Sequence, residues 1–352
     1  MKLSRMLERE NAYEIIEKTM LEYAKITNKE LECKFFYIYP NLNVIVENFN
    51  SEKVRDFIKT EYNITGNKLK KKLVDIYLIL VFKWPRLLSS KRLKVNFPKG
   101  HEGDYLIYPC NHRIRIFDFN NDTVDVMAKF GFENTPNRVE LETRRKYKFP
   151  FIPSIYGTSD KLYSEMIIKG TPLPRVENGY HIYENKIESV LSVLQENERK
   201  KTKLSKYSEE IYQSVNSIIE SNQLTLEQVD LCHLFEVDID LDIEIPMSLS
   251  HGDLQHGNIW VRDDKELVVI DWETKSIRSV WYDEYYVFNG SRSDDINLNE
   301  HVIDKIHTRW PEYDKKIIAH TIVIEDILYN LNSFNNMPKN IFIDELTNYY
   351  KH

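Results

Sequence analysis

Apolar residues recur at helical spacing in the first part of the chain. Residues 2–27 predict a helix, because their apolar positions fall three, four or seven residues apart. These positions are Met6, Tyr13, Ile16, Met20 and Tyr23. The segment CKFFYIY then predicts a strand, and SEKVRDFIKTEYN predicts a helix. We expect residues 1–103 to form an N-terminal extension, whose packing the pattern leaves open.

From residue 104 the pattern changes to short extended segments. DYLIY, RIRIFDF and TVDVMAKFG are separated by PCNH and NND, and they predict an antiparallel meander of three strands. A helical stretch follows from about Asn137 to Tyr147. PFIPSIYG and KLYSEMIIKG, each closed by a glycine, predict two more strands. We therefore expect residues 104–170 to form a sheet-rich lobe.

The chain beyond Gly170 reads as mainly helical. Residues 184–222 predict one or two long helices, and LTLEQVDLCHLF predicts another that begins at a threonine cap. Residues 300–350 again show a helical pattern, with a break at Trp310-Pro311. We expect residues 171–352 to form a helix-rich lobe, with the hinge at residues 169–170. The predicted fold class is α+β.

Composition places the chain among folded globular proteins. Of its 352 residues 42% are hydrophobic and 29% are charged. Cys33, Cys110 and Cys232 are far apart and odd in number, which argues against a disulfide framework or a CxxC metal site. The N-terminus carries acidic residues and has no long apolar run, so it does not predict a secretory signal. We expect a reducing, cytoplasmic setting.

The net charge of -7 conceals a basic segment at residues 68–99. This segment holds ten Lys or Arg and one acid, Asp75, so it carries +9 and the rest of the chain carries -16. Its apolar run LVDIYLILVF, at 73–82, is far shorter than the roughly 20 residues that span a bilayer. We interpret the run as a buried element with a solvated basic rim; the alternative is a surface that faces anionic lipid or a polyanion. Nucleic acid is not an expected partner, because no nucleic-acid-binding motif accompanies the charge.

The segment HGDLQHGNIWVRDDKELVVIDWE, at 251–273, spaces three oxygen-bearing side chains in a recognisable order. Asp253 and Asn258 precede a strand, a DDKE turn and a second strand, and Asp271 follows that second strand. The hairpin should return Asp271 to the side of Asn258. Phosphoryl transfer needs a positioned nucleophile and Mg²⁺, which takes one or two oxygen ligands from the protein. The order therefore predicts a metal pair, Asn258 with Asp271, and a carboxylate, Asp253, that can accept a hydroxyl proton.

HGDLQHGN and IDWE resemble the motifs of the aminoglycoside phosphotransferase and choline kinase family. The resemblance extends to lobe order from about residue 104 to 330, and it includes Gly252 where most protein kinases have Arg. It implies a protein-kinase-like two-lobed fold, with ATP and Mg²⁺ as cofactors and a small-molecule or glycan hydroxyl as acceptor. It also implies that Asp253 is the catalytic base, that His251 braces the loop, and that Asn258 and Asp271 bind the metal.

The same resemblance implies a nucleotide site in residues 104–170. Lys129 would pair with the α- and β-phosphates, and Glu140 or Glu142 would hold that lysine; the family's spacing favours Glu140. The loop PCNHR, at 109–113, has no glycine, although Asn111 and His112 could donate hydrogen bonds to phosphate. The main chain of Met166 and of Ile168 would bind adenine, and a preference for ATP over GTP is left open.

Aromatic and acidic residues follow the metal-binding strand and suit a polyol or an amine-bearing sugar. The candidates for contact with such an acceptor are Trp272, Glu273, Asp283 and Glu325. In the family an Asp in a YD pair, as at 283, is largely structural. The sequence thus predicts a kinase for an alcohol acceptor. A protein kinase is disfavoured, because HGD replaces HRD and DWE replaces DFG; a nucleotide-binding pseudokinase and a nucleotidyltransferase remain open, as do the acceptor and the oligomeric state.

Overall fold

The chain folds as two compact units. The computed structural model describes residues 12–27, 30–47, 49–62, 68–84, 88–99, 105–110, 112–159, 161–221, 240–292 and 298–335. The first unit, here the sheet unit, comprises Met1–Arg144 and Pro153–Thr171. The second, the helical unit, comprises Arg145–Ile152 and Pro172–His352. The predicted α+β class, with an antiparallel sheet preceding a mainly helical region, is confirmed.

An eight-stranded antiparallel sheet dominates the sheet unit. Its strands are β1 (Leu31–Tyr39), β2 (Val44–Val46), β3 (Lys91–Pro98), β4 (Tyr105–Pro109), β5 (Arg113–Asp118), β6 (Thr123–Ala128), β7 (Ile155–Ser159) and β8 (Leu162–Met166). Their order is β3-β1-β2-β4-β5-β6-β8-β7. The predicted meander is β4-β5-β6, and the strands of the N-terminal extension join it where β2 pairs with β4. The extension and the residues from 104 onward therefore share one sheet.

Helices cover both faces of this sheet because its strands alternate large apolar side chains between the two faces. α1 (Ala12–Thr27) lies on one face, where Ile16 and Met20 pack with Phe36 and Phe97. α2 (Glu52–Glu61) and α3 (Lys68–Lys83) pack on the other face with the cluster around Val46. α4 (Thr135–Lys146) is the helix expected from about Asn137 to Tyr147.

Residues 73–82, interpreted from the sequence as a buried element, are buried on only one side. These residues lie in α3, and one side of the helix, with Leu78 and Val81, is buried. The other side exposes large apolar residues, among them Leu73 and Ile79. In a helix, successive side chains point in different directions around the axis. A continuous run of apolar residues therefore does not show which of them face the core.

In its described residues the helical unit packs five helices with short strands. Its helices are α5 (Gly179–Glu196), α6 (Leu204–Ser221), α7 (Val280–Asn289), α8 (Glu300–Arg309) and α9 (Lys315–Asn335). The strand β9 (Gly170–Pro172) lies at the boundary between the units, and the other strands are β10 (Lys200–Lys203), β11 (Glu244–Ser250), β12 (Ile259–Arg262), β13 (Leu267–Val269) and β14 (Ser276–Ser279). The break expected at Trp310-Pro311 separates α8 from α9. The helix predicted for LTLEQVDLCHLF lies outside the described residues, and no described helix is long and apolar enough to cross a membrane.

Candidate active site

The loop that carries Asp253 begins where β11 ends, and His251 fixes its shape from inside. The His251 side chain is fully buried. Its Nε2 lies 2.9 Å from the carbonyl oxygen of Ile270, and its Nδ1 accepts a hydrogen bond of 3.2 Å from the Asp253 main-chain N–H. Both contacts are satisfied by a neutral ring protonated at Nε2. His251 thus joins the loop to the end of β13, as expected of a brace.

Asp283, on α7, supports the same loop from the opposite side. Its carboxylate accepts hydrogen bonds from the main-chain N–H groups of His251, at 2.7 Å, and of Gly252, at 3.1 Å. Hydrogen bonds to an ionised acceptor are among the stronger ones in proteins. Asp283 is buried, and both of its oxygens are used by these contacts. In this structure Asp283 thus holds the main chain of the loop.

Gly252 is required by the geometry of this loop. Its φ of +85° lies in the left-handed region that favours glycine, and a Cβ there would overlap the main-chain oxygen of Thr274 and the guanidinium of Arg278. No side chain fits this position without movement of the loop. The structure therefore gives a steric reason for glycine between His251 and Asp253.

The Asp253 carboxylate lies at the centre of a hydrogen-bonded cluster. Its Oδ2 accepts a hydrogen bond of 2.9 Å from Asn258 Nδ2, and its Oδ1 accepts one of 3.1 Å from Arg292 Nε. Gln255 Nε2 lies 3.3 and 3.2 Å from the two oxygens. Burial raises the pKa of the Asp253 carboxyl, and the positive charge of Arg292 opposes that rise. These contacts fix the orientation of the carboxylate.

Asn258 and Asp271 are joined through the hairpin β12-β13, as the spacing predicts. Asn258 Nδ2 also donates to the Asp253 main-chain oxygen, at 2.8 Å, so both amide protons are directed at Asp253. The main-chain oxygen of Asn258 accepts a hydrogen bond of 3.0 Å from Ile270 N–H, immediately before Asp271. Asp271 is half-buried and has a left-handed φ of +67°. The hairpin thus brings the two residues to neighbouring positions.

The donor set at Asn258 and Asp271 fits Mg²⁺. Because the Asn258 amide nitrogen is directed at Asp253, its amide oxygen is the side-chain atom that could serve as a ligand, together with the Asp271 carboxylate. Among the described residues no group of three or more His, Cys, Asp or Glu forms a metal site. A metal here would take one amide oxygen and one carboxylate from the protein. Mg²⁺ accepts such a set and completes it with phosphate and water oxygens.

In the sheet unit, Lys129 and Glu140 are both buried. The Lys129 ammonium donates a hydrogen bond to the main-chain oxygen of Cys110, in the loop between β4 and β5. The Glu140 carboxylate lies 3.1 Å from Arg144 NH1 and 3.6 Å from Arg113 NH1. Glu142, the alternative partner, is exposed on the other side of α4. Burial thus favours Glu140 over Glu142 as the acid of this site.

The other nucleotide candidates lie around the ends of β5 and β8. The His112 main-chain oxygen accepts a hydrogen bond of 2.9 Å from Lys129 N–H, which joins the loop to the residue after β6. Asn111 lies outside the described residues. Met166 is the register partner of Thr123, next to the hydrogen bond from Ile167 N–H to Asp122. The polar main-chain groups of Met166 consequently point away from β6, and Ile168 follows two residues after the end of β8.

Two of the acceptor candidates are packed inside the helical unit. Trp272 is fully buried, with its ring stacked on Phe151 and its Nε1 donating to the Val269 oxygen at 2.8 Å. Glu325 is buried too, and its carboxylate accepts hydrogen bonds from Ser279 and Tyr207. Glu273 is half-buried on the turn after Asp271. Of these three, only Glu273 keeps partial solvent exposure.

Arg292 is a site residue that the sequence did not reveal. Besides Asp253, its guanidinium contacts the Asp326 carboxylate and the main-chain oxygen of Gly252, the latter at 3.1 Å. The guanidinium also packs on an aromatic ring, with its central carbon 3.8 Å from the centre of the Tyr286 ring. Arg292 stands 39 residues after Asp253, in the segment NGSRSDD, and no short-range motif points to it. An arginine soon after a run of buried aromatics was the one available signal.

No family model matches the chain, and no curated protein matches it significantly. Among solved structures it is similar to ADP-bound aminoglycoside phosphotransferase APH(2'')-Ib, at 15% identity over 70% of this chain and 91% of that one, with a TM-score of 0.44. It is also similar to ethanolamine kinase of Plasmodium vivax, at 14% identity over 84% of this chain and 93% of that one, with a TM-score of 0.42. Choline kinase LicA of Streptococcus pneumoniae is similar at 16% identity over 78% of this chain and 96% of that one, with a TM-score of 0.37. The resemblance noted from HGDLQHGN and IDWE thus recurs among solved structures. At such identities and TM-scores it assigns no substrate or activity to this chain.

Proposed function

We propose that the chain is a phosphotransferase that moves the γ-phosphoryl group of ATP to a hydroxyl of a small molecule or glycan. One observation carries the proposal: the Asp253 carboxylate is held by Asn258 at 2.9 Å, and the hairpin brings Asp271 beside Asn258. A fixed carboxylate next to a pair of oxygen ligands is what this transfer needs, because its catalysis depends on positioning and charge.

Each residue of the loop has a defined part in the reaction. Asp253 accepts the proton of the acceptor hydroxyl as that oxygen attacks phosphorus, and the bond from phosphorus to the leaving ADP oxygen breaks. His251 and Asp283 keep the main chain of the loop in place, so the carboxylate needs no reorganisation. Asn258 and Asp271 would hold Mg²⁺, which neutralises phosphate oxygens when bound.

We assign nucleotide binding to the sheet unit. Lys129 would pair with phosphate oxygens, and Glu140, which is buried and lies beside Arg144 and Arg113, would serve as its acid. Asn111 and His112 belong to the loop proposed to contact phosphate. The main chain of Met166, which points away from β6, would hydrogen-bond adenine, together with that of Ile168. Mutation of Lys129 to Met should weaken ATP binding, measured by titration with a fluorescent nucleotide.

The acceptor is proposed as a hydroxyl compound that carries polar or cationic groups. Half-buried Glu273, two residues after Asp271, supports this, because a partly exposed carboxylate can accept hydrogen bonds from such groups. Glu273 is the candidate for contact with the acceptor. A screen of sugars, amino alcohols, aminoglycosides and cell-envelope fragments should reveal the acceptor by ATP consumption. The product mass distinguishes phosphoryl transfer from nucleotidyl transfer.

Two variants test the assignment of roles. Asp253→Asn should reduce turnover by about 10² to 10⁴, the usual contribution of a general base, and should leave Mg-ATP binding intact. Asp271→Ala should instead weaken Mg-ATP binding. Asp263→Asn, in the exposed turn between β12 and β13, is the matched control and should behave as the wild type. Turnover near that of the wild type in both site variants would refute the kinase, and Mg-ATP binding without turnover on any acceptor would favour the pseudokinase.

A further inference from the structure

The outer side of α3 carries a stripe of large apolar residues that are exposed. Their side chains are between 46% and 71% exposed, and they are Leu69, Leu73, Ile76, Ile79 and, just after the helix, Trp84. Steps of three and four residues place Leu69, Leu73 and Ile76 on one side of the helix. A contiguous apolar patch of this kind on a soluble protein marks an interaction surface.

The inner side of α3 fixes this stripe to the sheet unit. Leu78 and Val81 are buried, and Val74, Tyr77 and Phe82 pack against the same core cluster. The helix is therefore held by a packed face and does not depend on the outer stripe for its position. In the described part of the chain, no residue of the stripe belongs to a buried core cluster.

Basic side chains surround the stripe. Lys71, Lys72 and Lys83 are exposed on the same helix, and Lys83 Nζ lies 5.1 Å from the centre of the Trp84 ring. The only acid within α3 is Asp75. Long lysine side chains can lay their methylene groups along an apolar surface and keep the ammonium group at the polar boundary. Tryptophan favours that same boundary.

The sheet face on which α3 packs also carries exposed aromatic and basic side chains. Tyr37 on β1 packs into the cluster that holds α3, and Phe35, two residues before it, lies on the same face of the strand. Phe35 is exposed, with the guanidinium carbon of Arg92 3.6 Å from its ring centre. Lys94 is the register partner of Phe35 on β3 and is exposed as well. Basic and aromatic groups thus occur together on β1 and β3, as they do on α3.

We propose that this surface, defined by the outer side of α3 with Phe35, Arg92 and Lys94, docks on an anionic lipid bilayer. Apolar side chains inside a basic rim match the acyl boundary and the anionic head groups of such a bilayer. Sixteen residues of helix span about 24 Å and carry several charges, so α3 lies along the membrane surface. A nucleic acid would match the basic rim but would offer no partner for leucine and isoleucine side chains. The proposal is independent of the phosphotransferase reaction.

Flotation of the full-length protein with lipid vesicles tests this docking. Vesicles of phosphatidylcholine alone are compared with vesicles that contain phosphatidylglycerol, at low and high salt. Binding should require the anionic lipid and should weaken with salt, because the attraction is screened. Each basic residue near the surface changes affinity about fivefold. The triple variant Lys71→Gln, Lys72→Gln and Lys83→Gln should therefore bind at least about tenfold more weakly.

Matched variants separate this surface from net charge. Lys200→Gln, Lys201→Gln and Lys206→Gln make the same charge change at exposed positions of the helical unit and should leave binding unchanged. Leu73→Ser with Ile79→Ser keeps all charges and should also weaken binding. Circular dichroism shows that each variant is folded. Equal loss in the control triple, or full binding by the serine variant, would overturn the proposal.

A readout at Trp84 distinguishes insertion from loose attraction. Lipids with bromine atoms in the upper acyl chain should quench tryptophan fluorescence of the wild type, and Trp84→Phe should remove most of that quenching. No anionic preference at low salt would overturn the proposal. A second outcome would also overturn it: the protein binds no vesicle but self-associates, and the double variant Leu73→Ser with Ile79→Ser abolishes that self-association. The stripe would then be covered by a second copy of the chain.

Discussion

Replacement of Glu325 by Gln should change the pH dependence of stability. Glu325 is fully enclosed within the helical unit, where Oε1 accepts hydrogen bonds from Ser279 N–H at 2.6 Å and from the Tyr207 hydroxyl at 2.7 Å. Its Oε2 accepts one of 2.7 Å from the Ser279 hydroxyl. Burial raises the pKa of Glu325 from an ordinary 4.5 to about 7, against the opposing effect of these hydrogen bonds. Gln reproduces the protonated acid, because its amide nitrogen can donate to the Ser279 hydroxyl.

The shift determines the sign and the size of the effect. Between pH 4.5 and 7 the folded state retains a proton that the unfolded state loses, so stability falls as pH rises through this window. A shift of about 2.5 units corresponds to about 3 kcal/mol at most, at 1.36 kcal/mol per unit. Glu325→Gln has no proton to lose. It should match the wild type near pH 4.5 and exceed it by up to about 3 kcal/mol above pH 7.

Urea unfolding of both proteins at half-unit intervals from pH 4.5 to 8 measures this difference. Glu312→Gln, at an exposed position between α8 and α9, is the control and should follow the wild-type curve. A stability difference between Glu325→Gln and the wild type that stays constant over the whole range would refute the reasoning. Turnover should survive in Glu325→Gln, since this side chain is packed away from solvent.

Four further variants test the residues that support Asp253. Asp283→Asn should lower the free energy of unfolding by about 2 kcal/mol in urea, because an amide has one acceptor oxygen for the two N–H groups that a charged carboxylate now serves. Gly252→Ala should lower the free energy of unfolding by about 1–3 kcal/mol, because a Cβ at a φ of +85° displaces the loop. The same variant should lower turnover in a coupled ATPase assay, and wild-type turnover would contradict this reasoning. Arg292→Gln should lower the free energy of unfolding by about 3 kcal/mol, measured by calorimetry, because the half-buried carboxylate of Asp253 and the buried carboxylate of Asp326 lose their cation. Arg292→Lys should not restore the loss, since one ammonium cannot reach all of these partners at once.

The geometry of the loop from residue 251 to 271 follows from the sequence because it is local. A turn, a hairpin and fixed spacing are enough to bring Asn258 next to Asp271, and the structure places them so. Arg292 could not be found in this way. Its contact with Asp253 depends on where α7 ends, which is set by the packing of Trp281, Tyr282 and their neighbours.

The choice between Glu140 and Glu142 shows the same limit from another side. Both are on α4, and helical periodicity says only that they point in different directions. Which direction faces the sheet depends on how α4 packs, and the structure buries Glu140 with Arg113 and Arg144. The prediction that residues 73–82 are buried was partly wrong for a related reason. The apolar residues of α3 lie both on its packed side and on its exposed side.

The joining of the N-terminal extension to the sheet has a practical consequence for expression of the protein. A chain shortened to residues 104–352 would lose β2, whose Ile45 pairs with Ile107, and β4 would become an edge strand. Its apolar faces would also lose α1, α2 and α3, leaving residues such as Leu106 and Val126 open to water. Uncovered apolar edge strands pair with other chains. Trimming the protein to a minimal catalytic core would therefore produce insoluble aggregates, and soluble expression requires the extension.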